Sequence, residues 1–169
     1  ADPDKVLMWK ALWASKGKPA IGIAWTGGVK ETAALYRRWN HEQMAQIMRT
    51  IPAHWVSLQY KDASEEIAEF KAKYPDIDLV QYKGATLSQD YDDTAALVAS
   101  LDRVVAMQST AVHIAGALGV KCAAGIPKTS QWRYGSKGDS MPWYGSVKLF
   151  RQERFGHWDV SGIQGWLRD

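Results

Sequence analysis

The chain has little of what usually marks a site. A single cysteine, Cys122, excludes an internal disulfide and any multi-cysteine metal centre; it reads as a buried thiol within a strand. No apolar run approaches the length of a membrane span, and no secretory leader opens the sequence. Neither G-x-G-x-x-G nor the Walker A pattern occurs, so the common nucleotide fingerprints are missing. There is no G-x-S-x-G elbow either. His41, His54 and His157 show no metal-ligand spacing. The acidic run Asp90-Tyr91-Asp92-Asp93 lacks a His or Cys partner and reads as helix capping. These readings together leave no metal and no catalytic residue assigned. Charge of one sign is scarce as well. A net charge of +3 suits a small anionic ligand but falls short of a nucleic-acid groove.

What remains is a 169-residue chain with 46% hydrophobic residues, enough for one domain with a sizeable core. Short apolar runs alternate with amphipathic segments. Strands are expected at Ala20–Trp25, Trp55–Leu58, Ile77–Val80, Arg103–Met107 and Lys121–Ile126, with a sixth at Val147–Phe150. Helices are expected from Asp4 to about Ser15, after an N-cap at Asn40, from Ser64, over Asp93–Ser100, over Thr110–Leu118, and weakly at Val160–Leu167, where Gly162 and Gly165 lower the propensity. This alternation predicts an α/β fold with a mainly parallel sheet of five to six strands, covered on both faces. Such sheets hold ligands at the carboxyl ends of their strands.

The loops at those ends carry the candidates. Thr26-Gly27-Gly28-Val29-Lys30 lets backbone N–H groups approach a phosphate and offers a lysine, although by itself it is also an ordinary strand-to-loop turn. Gln59 and Tyr60 follow the second strand. Gln108-Ser109-Thr110 opens a helix of small residues, and a helix start after a parallel strand is a ready anion site; Ser109 or Thr110 serving only as a cap is the plainer alternative. His113, one turn further, reads first as a satisfied interior residue and second as a neutral ligand contact. The tract from Trp132 to Arg154 is rich in Trp, Tyr, Arg and Lys. Two readings stand equally: its rings stack on a ligand, or they wedge a long loop onto the sheet.

Five stretches also carry a resemblance: Ile21 to Gly27, Val56-Ser57-Leu58-Gln59, Asp92 to Leu97, Ser109 to Gly119, and the tract from Trp132-Arg133-Tyr134 through Pro142-Trp143-Tyr144 to Leu149-Phe150-Arg151-Gln152. Over roughly Lys18 to Trp158 the chain resembles the carboxyl-terminal half of a GT-B glycosyltransferase. The family is the heptosyltransferase-like one (glycosyltransferase family nine) with its tetratricopeptide-repeat-associated relatives. The resemblance implies a Rossmann-like three-layer sandwich, one GT-B lobe, that binds a nucleotide-diphosphate sugar as donor substrate without a further cofactor or metal. By position, Thr26, Gly27, Gly28 and Lys30 would lie near the diphosphate and Gln59 and Tyr60 near the nucleoside. Gln108, Ser109, Thr110 and His113 would line phosphate and sugar. The family usually has Asp-Thr where this chain has Gln108-Ser109.

The resemblance also implies an organisation: residues 1–17 as a linker or interdomain helix, 18–126 as the Rossmann-like core, and 127–169 as the Trp/Arg tract and terminal helix of a single nucleotide-sugar-binding domain. An amino-terminal acceptor-binding lobe, or a partner domain, is expected to supply the catalytic base, with Trp9 and Trp13 forming part of the seam. The isolated chain is then expected to be inactive and cytoplasmic. The rival readings are a non-catalytic module binding a glycan or nucleotide, and a purely structural α/β domain.

Overall fold

The computed structural model describes residues 1–28 and 36–169, and Lys30 lies outside them. The chain runs α1 (Pro3–Lys16), β1 (Ala20–Ala24), α2 (His41–Met48), β2 (His54–Ser57), α3 (Ser64–Lys73), β3 (Leu79–Val80), α4 (Lys83–Thr86), α5 (Tyr91–Ala99), β4 (Arg103–Met107), α6 (Thr110–Ala117), β5 (Cys122–Ile126), β6 (Val147–Arg151) and α7 (Ser161–Arg168). The six strands form one sheet in the order β3-β2-β1-β4-β5-β6. Every adjacent pair is parallel, as Ile21 opposite Trp55 on one side and Arg103 on the other illustrates. The expected three-layer parallel architecture is what forms.

Alternation along β1 decides which helices cover which face. Ile21 and Ile23 point into a core shared with Met44, Ile47 and Met48 of α2, Ile67 and Phe70 of α3, and Ile163 and Leu167 of α7. Ala20 and Ala24 point the other way, toward Trp13 of α1, Leu97 and Val98 of α5, and Val112 and Ala115 of α6. Both faces are apolar because both are covered, as a parallel sheet requires. Gly22 is small by necessity: a Cβ there would come within 2.6 Å of the Leu58 side chain.

Local chemistry sets the helix ends. Asn40 and Gln43 form a reciprocal capping box at α2. Asp90 caps α5 by accepting from the Asp92 N–H at 2.9 Å, and Asp93 accepts from Ser88 Oγ and Lys5 Nζ, so the acidic run is spent on the helix start and on α1. The weak terminal helix exists because Ile163 and Leu167 are buried and Gln164 Nε2 donates to Gln46 O at 2.8 Å; packing outweighs two glycines. Cys122 is fully buried in β5, and burial pushes its thiol well above the ordinary range.

One expectation fails. Trp9 and Trp13 do not present an exposed seam. They stack on each other at 5.5 Å, Tyr82 packs edge-on to both, and the Trp13 indole N–H donates to Ser100 Oγ at 2.8 Å. The exposed apolar residues of α1 are Leu7 and Met8. The helix is therefore part of the sandwich. No helix among the described residues is long and apolar enough to cross a membrane.

Candidate functional site

The strand order reverses between β1 and β4: the chain moves outward to β2 and β3, then returns to β4 and continues outward on the other side. The loops that leave β1 and β4 therefore diverge and leave a crevice at their carboxyl ends. Beyond β1, the Trp39 N–H donates to Trp25 O at 2.9 Å, the Gly27 N–H donates to Arg37 O at 2.8 Å, and Thr26 bridges Arg38. This pairing carries Arg37 beneath the crevice. Its Nη2 donates to Gln108 O at 2.9 Å, just beyond β4.

Two cavities occupy the crevice. The first, about 300 Å³, lies between the sheet end, α5 and α6; Thr26, Gln59, Tyr60, Thr86, Tyr91 and Thr94 line it together with apolar side chains. Among the described residues none of its lining is charged. The second, about 280 Å³, is lined by Gly28, Arg37, Tyr60, Ser109, Thr110, His113, Gln131, Arg133 and Tyr134. Among the described residues it holds two guanidinium groups and no carboxylate. Tyr60, Ser109 and Thr110 belong to both cavities, so the start of α6 is the ridge between an uncharged half and a cationic half.

The second half is built for negative charge. The side chain of Ser109 sits at the N-cap position but bonds to no backbone N–H of the first turn, and its Oγ is buried without a partner among the described residues. The positive end of the helix is therefore not covered by its own cap. Arg37 is only 8% exposed. Burial lowers its pKa, with nearby Arg133 acting in the same sense, yet a guanidinium stays protonated near neutrality. Arg133 is oriented by Gln131, whose Oε1 accepts from Nε at 3.0 Å and Nη2 at 2.8 Å. Burial, and secondarily Arg133, hold His113 below its ordinary range. Burial keeps the Tyr134 phenol protonated, and its Oη lies 3.1 Å from His113 Nε2, within hydrogen-bond reach.

Of the residues singled out from sequence, Thr26, Gly28, Gln59, Tyr60, Ser109, Thr110 and His113 converge on these cavities. Gln59 and Tyr60 are tied to the first loop, Gln59 Oε1 accepting from the Thr26 N–H at 3.5 Å and Tyr60 Oη donating to Gly28 O at 3.3 Å. Gly27 and Gln108 lie under the floor and line neither cavity. A Cβ on Gly27 would fall 2.1 Å from Gln108 O, so this glycine permits the close approach of the two loops. Gln108 is 1% exposed, with both side-chain polar atoms unpartnered among the described residues. Thr86 belongs to the loop Lys83 to Leu87, which the sequence also places at a strand carboxyl end, whereas Arg37, Tyr91 and Thr94 are not among the sequence candidates. The only signal for Arg37 was a basic pair, Arg37-Arg38, directly before a tryptophan, and nothing local told which arginine turns inward.

Fold and crevice together define a Rossmann-like lobe of the GT-B type. No protein-family model matches the chain. In structure it is similar to ADP-heptose LPS heptosyltransferase II of E. coli, with a TM-score of 0.73 and 15% identity over 99% of this chain and 51% of that one. It is also similar to a family 9 glycosyl transferase from Veillonella parvula, with a TM-score of 0.65 and 14% identity over 99% of this chain and 44% of that one. In sequence it is similar to Protein FlbA of Caulobacter vibrioides, 32% identical over 172 residues, which is 99% of this chain and 28% of FlbA. The chain thus has the fold of about half of a family nine glycosyltransferase, and spans little more than a quarter of FlbA.

Proposed function

We propose that this domain binds the donor of a glycosyl transfer, a nucleotide-diphosphate sugar, in the crevice at the start of α6. The observation that carries the reading is the division of the crevice into an uncharged half and a cationic half sharing one helix N-terminus. A nucleoside suits the first half and a diphosphate the second. The sugar would follow the diphosphate toward His113 and Tyr134. In transfer, the leaving diphosphate would be stabilised by the α6 N–H groups with Arg37 and Arg133, because preorganised donors act most strongly where charge develops. Among the described residues no carboxylate lines either cavity, and His113 is already engaged with Tyr134. We therefore place the base that activates the acceptor in another lobe or partner domain. The cytoplasmic setting expected from the sequence belongs to the same proposal.

A thermal-shift panel of nucleoside diphosphates and their sugar conjugates tests the reading. A ligand at one hundred times its Kd stabilises the folded state by about 2.7 kcal/mol, so at least one conjugate is expected to raise Tm by several degrees. A flat response across the panel contradicts donor binding and leaves a glycan-binding module or a purely structural domain.

A further inference from the structure

We propose that Trp132 and Trp143 form a saccharide platform at the outer rim of the cationic cavity, taking the apolar face of a pyranose ring. The proposal rests on the donor-site reading for the position of the sugar, but not for the existence of the platform.

The two side chains are exceptions in this protein. Most of its nine tryptophans are committed to packing: Trp25, Trp39 and Trp55 are fully buried, Trp158 packs edge-on to Trp39, and Trp166 lies under the Arg103 guanidinium. Trp132 and Trp143 are 79% and 59% exposed. An indole left in water forgoes a large burial gain, and the residues on either side of Trp132, Gln131 and Arg133, line the cationic cavity.

The rings are nonetheless held in place. Trp132 opens a single 3₁₀ turn, Trp132–Tyr134, whose last residue is buried and fixed to His113. The Trp143 indole N–H donates to Arg133 O at 3.1 Å, and the two indoles meet edge to face with centroids 6.4 Å apart. Beneath them the Arg151 guanidinium donates to the carbonyls of Tyr134, Gly135 and Gly138. Tyr144, the neighbour of Trp143, is seated on Gly116 of α6, where a Cβ would lie 2.4 Å from its ring. The platform is thus fixed to the helix that opens the cavity, and Arg133, which follows Trp132, lines that cavity.

The surroundings favour a sugar over a protein. Between residues 127 and 151 these are the two exposed large apolar side chains, and neither is aliphatic. The flanking side chains are Gln131 and Arg133 on the cavity side, which can meet ring hydroxyls with hydrogen bonds. One flat face bordered by donors matches a pyranose, whose C–H face is apolar and whose edge is polar. A nucleobase also stacks on an indole, but the uncharged cavity at the far side of Ser109 and Thr110 is the better place for it.

The test uses the chain of 169 residues, its Trp132→Ala and Trp143→Ala variants, and Trp132→Phe as the ring-retaining control. Three probe classes are titrated: ADP, UDP and GDP; ADP-glucose, UDP-glucose and GDP-mannose; and free oligosaccharides on a glycan array. Because both side chains are exposed, thermal stability is expected to stay near that of the parent. The alanine variants are expected to lose about tenfold in affinity for a saccharide-bearing probe, the order expected for one stacked ring, with the simple diphosphates unchanged and Trp132→Phe near the parent. A loss confined to the sugar conjugates assigns the platform to the donor sugar, and one confined to the array assigns it to an acceptor glycan. Equal loss for the simple diphosphates means base stacking and overturns the proposal. Unchanged binding of every probe, or a parent chain that binds no saccharide-bearing probe, overturns it as well. If no nucleotide binds but an array glycan does so through Trp132, the platform stands and the donor-site reading falls.

Discussion

His113 is where chemistry at the scale of one residue is most open to measurement. Its folded pKa lies below the ordinary 6.5, chiefly through burial and then through Arg133. Well above that value the ring is neutral in both folded and unfolded chains and pH has no leverage. As pH falls through 6.5, the unfolded chain takes up a proton that the folded state resists, so stability declines until the folded pKa is reached. His113→Gln removes this slope. The Tm advantage of the parent over the variant is therefore expected to shrink between about pH 7.5 and about pH 5, the range in which an imidazole titrates; a constant difference contradicts the assignment. Single residues also mark the limits of the sequence. Cys122 in a buried strand and Asn40 as a cap were legible because each depends on neighbours a few positions away. Gln108 beneath the crevice and Arg37 pointing inward were not. Their placement follows from one contact across the gap between the two diverging loops, Arg37 Nη2 to Gln108 O, which no local pattern encodes.

At the scale of elements, the sheet was legible because apolar runs alternate with amphipathic helices, while its edge was less so. The third strand shrinks to Leu79–Val80, and the short helix Lys83–Thr86 was not anticipated. Such short pieces depend on Gln81, which bonds to Gln59 O, Lys61 O and Thr86 Oγ1. The first helix is the larger lesson. A Trp pair at helical spacing suits a seam between domains as well as it suits a core, and only the positions of Tyr82 and Ser100 decide for the core. Trp13→Ala should accordingly cost about 3–5 kcal/mol in denaturant unfolding, as for other large core truncations; a cost near zero means that α1 is not an integral layer. The seat of the Trp/Arg tract on α6 is equally testable. Gly116→Val forces a side chain into the Tyr144 ring and should cost about 1–3 kcal/mol, the range of overpacked sites. It should also weaken ligand binding, since Arg133 and Tyr134 belong to the tract that Tyr144 anchors. Of the two sequence readings of that tract, wedging is visible in Tyr134, Tyr144 and Arg151, whereas Trp132 and Trp143 remain exposed.

For the whole molecule, topology does most to position the crevice. The switch between β1 and β4 separates two loops, the pairing of residues 25–27 with 37–39 brings a guanidinium beneath them, and α6 aims its first turn between an uncharged cavity and a cationic one. The chain spans about half of the two solved glycosyltransferases it resembles. Thr110 is the most direct lever on this account. It is exposed at the ridge shared by both cavities, so a bulky replacement fills the site without entering the core. Isothermal titration of the parent chain and of Thr110→Trp with the best nucleotide sugar from the thermal panel is the decisive measurement. The account predicts saturable binding near one ligand per chain in the parent and none in a variant of unchanged Tm. Equal binding by the two proteins would contradict it.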